Sequence, residues 1–127
     1  MLVTRRFKNM NQTTKLYQTP KTETRTFMFR ILQIINGNTM MITPAWNWNG
    51  IQGNMVVIRG YGPAPTLSTE MKVYVDNVLR QRLASVIPVG ASVQLSNPTI
   101  IDSQNRILCD VLFNGVSVAN YFPEYKL

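Results

Sequence analysis

The chain has 127 residues, no histidine, one cysteine and a net charge of +7. That length supports one domain around one core, and an apolar content of 45% is too high for a chain disordered throughout. The counts exclude Ser-His and Cys-His nucleophile pairs, a zinc site of cysteine and histidine and an internal disulfide.

Residues 1–26 are rich in Thr, Asn, Gln, Lys and Arg and carry no sustained apolar period, so they read as an arm. Arg5, Arg6, Lys8, Lys15, Lys21, Arg25 and Arg30 stand against Glu23 alone, a net +6 over residues 1–30, whereas residues 31–127 sum to +1. A basic arm reads as a contact for phosphate, acidic protein or an anionic membrane surface. The alternative is a solvated tail or a targeting segment. The start, Met1 to Lys8, bears arginines and the first acid is Glu23, which resembles a mitochondrial transit peptide in composition. The expected location is therefore intracellular, with the mitochondrion as the named candidate. No apolar run approaches the ~20 residues that cross a bilayer.

Residues 27–35 read as a strand, and Asn36-Gly37 as a hairpin turn in which both residues tolerate positive φ. Thr39–Thr43 is the return strand, ended by Pro44, which cannot donate to a ladder. Residues 45–54 are expected to be a loop, and Met55–Tyr61 a third strand before the break at Gly62-Pro63-Ala64-Pro65. Met71, Tyr74, Val75, Val78, Leu79 and Leu83 form one apolar stripe, which predicts a helix over 67–84 with Arg80 and Arg82 on its solvated flank. Ala91–Ser96 and Arg106–Phe113 are the fourth and fifth strands; Asn114-Gly115 marks another turn, and 116–122 reads as a short strand or a helical turn.

Three strands, a helix and two strands predict a mainly β domain, a five-stranded OB-type barrel with one helix between strands three and four. The organisation is a basic arm at 1–26, a barrel at 27–122 and a short tail at 123–127. Within it, Trp46 and Trp48 share the expected loop. They read as a stacking pair for single-stranded nucleic acid. In the favoured alternative one indole closes the barrel mouth and the other meets a protein partner. Cys109 falls at period two between Ile107 and Val111 and reads as a buried small hydrophobe. Arg106 reads as a residue pinning its turn, with anion binding as the alternative.

Several runs together resemble staphylococcal-nuclease-like (thermonuclease) domains. Ile34 to Met40 is similar to the V-x-D-G-D-T-I hairpin, and Val57 to Pro65 to V-R-L-x-G-I-D-A-P-E. Val78 to Leu95 is similar to the family's helix and following strand. Asp102 to Val111 is similar to D-x-Y-G-R-x-L-A-x-V, and Asn114 to Asn120 to D-G-x-x-V-N. The resemblance covers about residues 27–122. It implies a Ca²⁺ held by carboxylates, a glutamate general base and two arginines on the phosphate. Mapped by position, the metal carboxylates fall on Asn38 and Gly62, the first arginine on Val57 and the base at Pro65. Only the second arginine persists, as Arg106.

A hard cation needs anionic oxygen to offset its dehydration, and no Asp or Glu lies between Glu23 and Glu70. The expectation is a barrel without catalysis, metal, cofactor or small-molecule substrate. It would serve as an accessory subunit of a larger protein assembly, anchored by its arm. The alternatives are an RNA-binding or single-stranded-DNA-binding module, including a ribosomal one, and, last, a residual calcium-dependent nuclease.

Overall fold

Asparagine–glycine pairs set two of the corners among the described residues. The computed structural model describes residues 27–127; the arm, with Arg5, Arg6, Lys8, Lys15, Lys21 and Arg25, lies outside the described residues. The elements are β1 (Phe29–Asn36), β2 (Thr39–Trp48), β3 (Ile51–Ile58), α1 (Thr69–Val86), β4 (Ser92–Ile101), β5 (Arg106–Phe113) and β6 (Val116–Ser117), followed by 3-10 turns at Val118–Asn120 and Pro123–Tyr125. Asn49 and Gly50 turn β2 into β3 with φ of 53° and 78°, and Asn114 and Gly115 turn β5 into β6 with 53° and 79°. Positive φ at both central residues matches the right-handed twist of the flanking strands.

The β1–β2 turn works differently from its sequence expectation. Its central residues are Gly37 and Asn38, and neither has positive φ. The Asn36 side chain accepts from the Asn38 N–H at 3.0 Å, and Asp76 of α1 accepts from the Gly37 N–H at 2.9 Å. A side chain 39 residues away thus holds the corner, and a Cβ at Gly37 would stand 2.8 Å from the Asp76 carboxylate.

The strands are ordered β3-β2-β1-β4-β5, and β5 returns to pair with β3 in parallel. That pairing closes a five-stranded OB-like barrel, with α1 between β3 and β4 as expected. Closure leaves the five strands without free edges, which removes a route to aggregation.

Two expectations about strand length fail for one reason. Pro44 does not end β2, and 45–54 is not a loop. The β2–β3 register breaks between Met41 and Trp46, so that residues 42–45 face Asn54 alone. The Asn54 amide donates to the Ile42 carbonyl at 2.9 Å, and the exposed Pro44 sits in this bulge, where no ladder bond is asked of it. β4 likewise runs past Ser96 to Ile101 through a register break that takes up Asn97 (φ 53°) and Pro98. The expected third strand shifts toward the N-terminus, and Tyr61 keeps only an isolated bridge to Lys126.

Inward-pointing residues alternate along the strands: Ile31, Ile42, Val56, Ile58, Val93, Ile107, Cys109 and Val111 are all buried. Burying each such side chain is worth roughly 1.5–3 kcal/mol before entropy is counted. α1 begins at Ser68, whose hydroxyl accepts from the Met71 N–H at 3.2 Å. Leu79, Leu83 and the following Ile87 join the core. The rest of the predicted stripe does not follow, since Met71 and Tyr74 are 46% and 64% exposed. Residues 69–74 at the start of the helix are exposed. Among the described residues no helix is long and apolar enough to cross a membrane.

The last residues are stitched to the barrel. Gly62 N–H donates to the Tyr125 carbonyl at 3.0 Å, and Leu127 N–H to Gly60 at 2.8 Å. Arg82 is not simply solvated. It lies 4.5 Å over the Phe122 ring and donates to Glu124 at 2.9 Å and to the Tyr125 hydroxyl at 3.2 Å.

Gly53 meets the buried Trp46 indole so closely that a Cβ would fall 2.5 Å from its ring. Gly53→Ala is expected to destabilise the fold by about 1–3 kcal/mol, read as a lower urea midpoint with an unchanged slope.

Candidate functional site

The positions that the nuclease resemblance assigns to metal binding are neighbours in this fold. A Cβ at Gly62 would stand 3.0 Å from the Asn38 amide nitrogen. The Asn38 amide donates to the Tyr61 carbonyl at 3.0 Å, and its oxygen accepts from the Thr39 hydroxyl at 3.0 Å. Both ends of the side chain are engaged. Gly62 is buried, with φ of 136°, a conformation that L side chains rarely adopt. The pair is therefore a small hydrogen-bonded plug.

Val57 and Arg106 lie on the same wall. Strand alternation points Val56 and Ile58 inward, so Val57 faces out. The β3–β5 register sets Val57 beside Leu108 and Met55 beside Arg106. Arg106 donates through Nε to Asp102 at 2.7 Å, and Asp102 also accepts from the Arg106 backbone N–H at 3.0 Å. The Asp102 carboxyl is partly desolvated, which by itself would raise its pKa; the hydrogen bonds from Arg106 and Gln104 outweigh this and hold it below the usual carboxylate range. Arg106 thus pins its turn as expected. Arg59 is held too, by Asp110 at 3.0 Å. Asp110 also accepts from the Asn97 amide at 2.8 Å.

Pro65 lies beyond the plug, where it and Pro63 line a groove with Lys72, Val73 and Asp76 of α1. Among the described residues no group of three His, Cys, Asp or Glu side chains is placed to hold a metal ion.

Both tryptophans are on β2 and not on a loop. Trp46 is fully buried, and its indole N–H donates to the Met55 carbonyl at 2.9 Å. It offers no face to a base. Trp48 is half-buried and packs against the core. Cys109 is buried, and desolvation, with help from Asp110, pushes its thiol up to about 12. A thiol so far from ionisation is a poor nucleophile. The Tyr61 hydroxyl is buried with no hydrogen-bond partner among the described residues. Burial first, then Glu124 and Tyr125, raises its pKa.

Sequence reading missed Asp76 and Tyr61. Asp76 interrupts a helix otherwise read for its apolar stripe, and that was its only signal. The Tyr61 carbonyl belongs to the backbone and leaves no residue-type signature.

Comparison with protein-family models, curated proteins and solved structures found no match.

Asn38→Asp replaces the amide donor with a carboxylate oxygen facing a carbonyl oxygen. It is expected to destabilise the protein by about 1–3 kcal/mol at neutral pH. The folded state would favour the protonated acid, which can still donate, so its folded pKa lies above the unfolded value. The deficit should therefore be smallest at low pH and grow as pH rises through the carboxyl range. Urea midpoints of the variant and wild type across that range check this.

Proposed function

We propose that this chain is a non-catalytic staphylococcal-nuclease-like OB barrel that serves as an accessory subunit of a larger protein assembly. The observation that carries the reading is the plug: the Asn38 amide bound to the Tyr61 carbonyl beside a buried Gly62. Metal chemistry of the nuclease type needs two carboxylates there. This chain supplies a neutral amide already in use and a residue without a side chain. Val57 at the first arginine position and Pro65 at the base position leave no phosphate clamp and no acid–base group.

Protein contact is the reading that the outer wall favours over nucleic acid. Single-strand binders combine a basic groove with exposed aromatic faces. Here Trp46 is buried, Arg59 and Arg106 are engaged by carboxylates, and the residues between them are aliphatic. The arm residues Arg5, Arg6, Lys8, Lys15, Lys21 and Arg25 would anchor the barrel to an acidic partner surface. The arginine-bearing start makes the mitochondrion the proposed compartment.

The full chain is expected to leave DNA and RNA intact with calcium present. It should also show no saturable binding to single-stranded oligonucleotides by fluorescence anisotropy at about 0.15 M salt. Binding that persists, with log K falling against log salt at roughly 0.7 per phosphate contact, would overturn the reading in favour of a nucleic-acid module. Deleting residues 1–26 is expected to weaken recovery of the barrel with its native assembly. Undiminished recovery would remove the arm from the account.

A further inference from the structure

We propose that the outer face of β3 and β5 is a docking surface for a second copy of this chain. The proposal goes beyond the plug and rests on reading this wall as protein-contacting. Along β5, Ile107, Cys109 and Val111 point into the core, so Arg106, Leu108 and Asp110 point out. The register places Val57 on one side of Leu108 and Ile100 on the other. Met41 and Met55 continue the patch beside Arg106. Met41, Met55, Val57 and Leu108 are half-buried, Ile100 is 54% exposed, and none of the five belongs to the packed core. Among the described residues α1 packs on β1 and makes no comparable contact with β3 or β5.

Charge selects the occupant. The apolar centre is bounded by Arg106 with Asp102 at one end and by Arg59 with Asp110 at the other. Each end holds one cation and one anion, so the face repels neither sign and carries no net charge to draw a phosphate chain. The outward order along β5, Arg106, Leu108, Asp110, is complementary to its own reverse. A two-fold axis in the plane of the face, crossing the strands at Leu108, lays β5 antiparallel on its copy. Leu108 then meets Leu108, Arg106 meets the partner's Asp110, and Asp110 meets the partner's Arg106. The Arg106–Asp102 pair uses only Nε of the side chain, which leaves the terminal Nη groups for this contact. Each end of the interface then alternates in sign: Asp102, Arg106, the partner's Asp110, the partner's Arg59. An axis running along the strands instead would set Arg106 on Arg106. Isologous, self-complementary contacts of this kind are what closed two-fold dimers require.

The test is the oligomeric state of the full chain and of two charge reversals, by sedimentation equilibrium at about 100 µM, where a complex of micromolar affinity is saturated. Wild type is expected to be a dimer. Arg106→Asp sets acid on acid and Asp110→Arg sets base on base, so each alone is expected to be monomeric. Mixed in equal amounts, the two are expected to form a heterodimer, because the remaining pairs are then opposite in sign. Circular dichroism checks folding. If either reversal unfolds, Leu108→Lys replaces it and is expected to give a folded monomer. A monomeric wild type, or dimers that survive all three substitutions, would overturn the proposal. A monomer that also neither cuts nor binds nucleic acid overturns the pairing alone and leaves the reading of the plug standing.

Discussion

The parallel pairing of β3 with β5 is the constraint on which the rest of this molecule depends. Without it the strands would form an open sheet with β3 and β5 as free edges. With it, Val56 and Ile58 close over Ile107 and Cys109 in the core. The same four residue pairs set the outer wall, because each inward residue fixes its neighbour outward. Val57 beside Leu108, and Met55 beside Arg106, follow from closure. So does the bond from the Arg59 N–H to the Cys109 carbonyl at 3.0 Å, which carries the chain toward Tyr61 and Gly62. The corner that joins Asn38 to Gly62 is thus a by-product of how the barrel shuts.

What fills that place is decided by one atom type. An amide and a carboxylate have the same shape, but only the amide can donate to the Tyr61 carbonyl. A buried carbonyl without a donor costs about 1–3 kcal/mol, so Asn38 stabilises the corner in a way that a metal-binding aspartate would not. Gly62 adds a geometric condition, since its backbone conformation disfavours a side chain and its nearest neighbour is the Asn38 amide itself. Chemistry and packing agree at these two positions, and agreement across levels is the mark of a settled local structure.

Much of the architecture was legible in the sequence because turns and period-two alternation are local. Ile107, Cys109 and Val111 announced their burial, and Leu79 and Leu83 announced the helix face that meets the core. The errors share a cause. Pro44 looks like a stop, although Asn49-Gly50 five residues later is as strong a turn signal as Asn36-Gly37. A bulge that sets four residues of β2 against one of β3 leaves no trace in a period-two pattern, and so Trp46 passed for a loop residue. Arg82 passed for a solvated one because its partner Glu124 lies 42 residues away. A separation of 39 residues likewise hides Asp76 as the support of the Gly37 corner. At the site, the absence of acids was visible in the sequence. The hydrogen bond from Asn38 was not, because its partner is a backbone carbonyl.

We propose that Asn38 and Gly62, a plug satisfied from within, have no use for a cation. The most direct measurement is an NMR titration of the isotope-labelled full chain with calcium chloride to about 10 mM, above the dissociation constants of even weak protein calcium sites. The Asn38 side-chain amide and the Thr39, Tyr61 and Gly62 backbone signals are expected to stay in place. Saturable shifts confined to those signals would contradict the proposal.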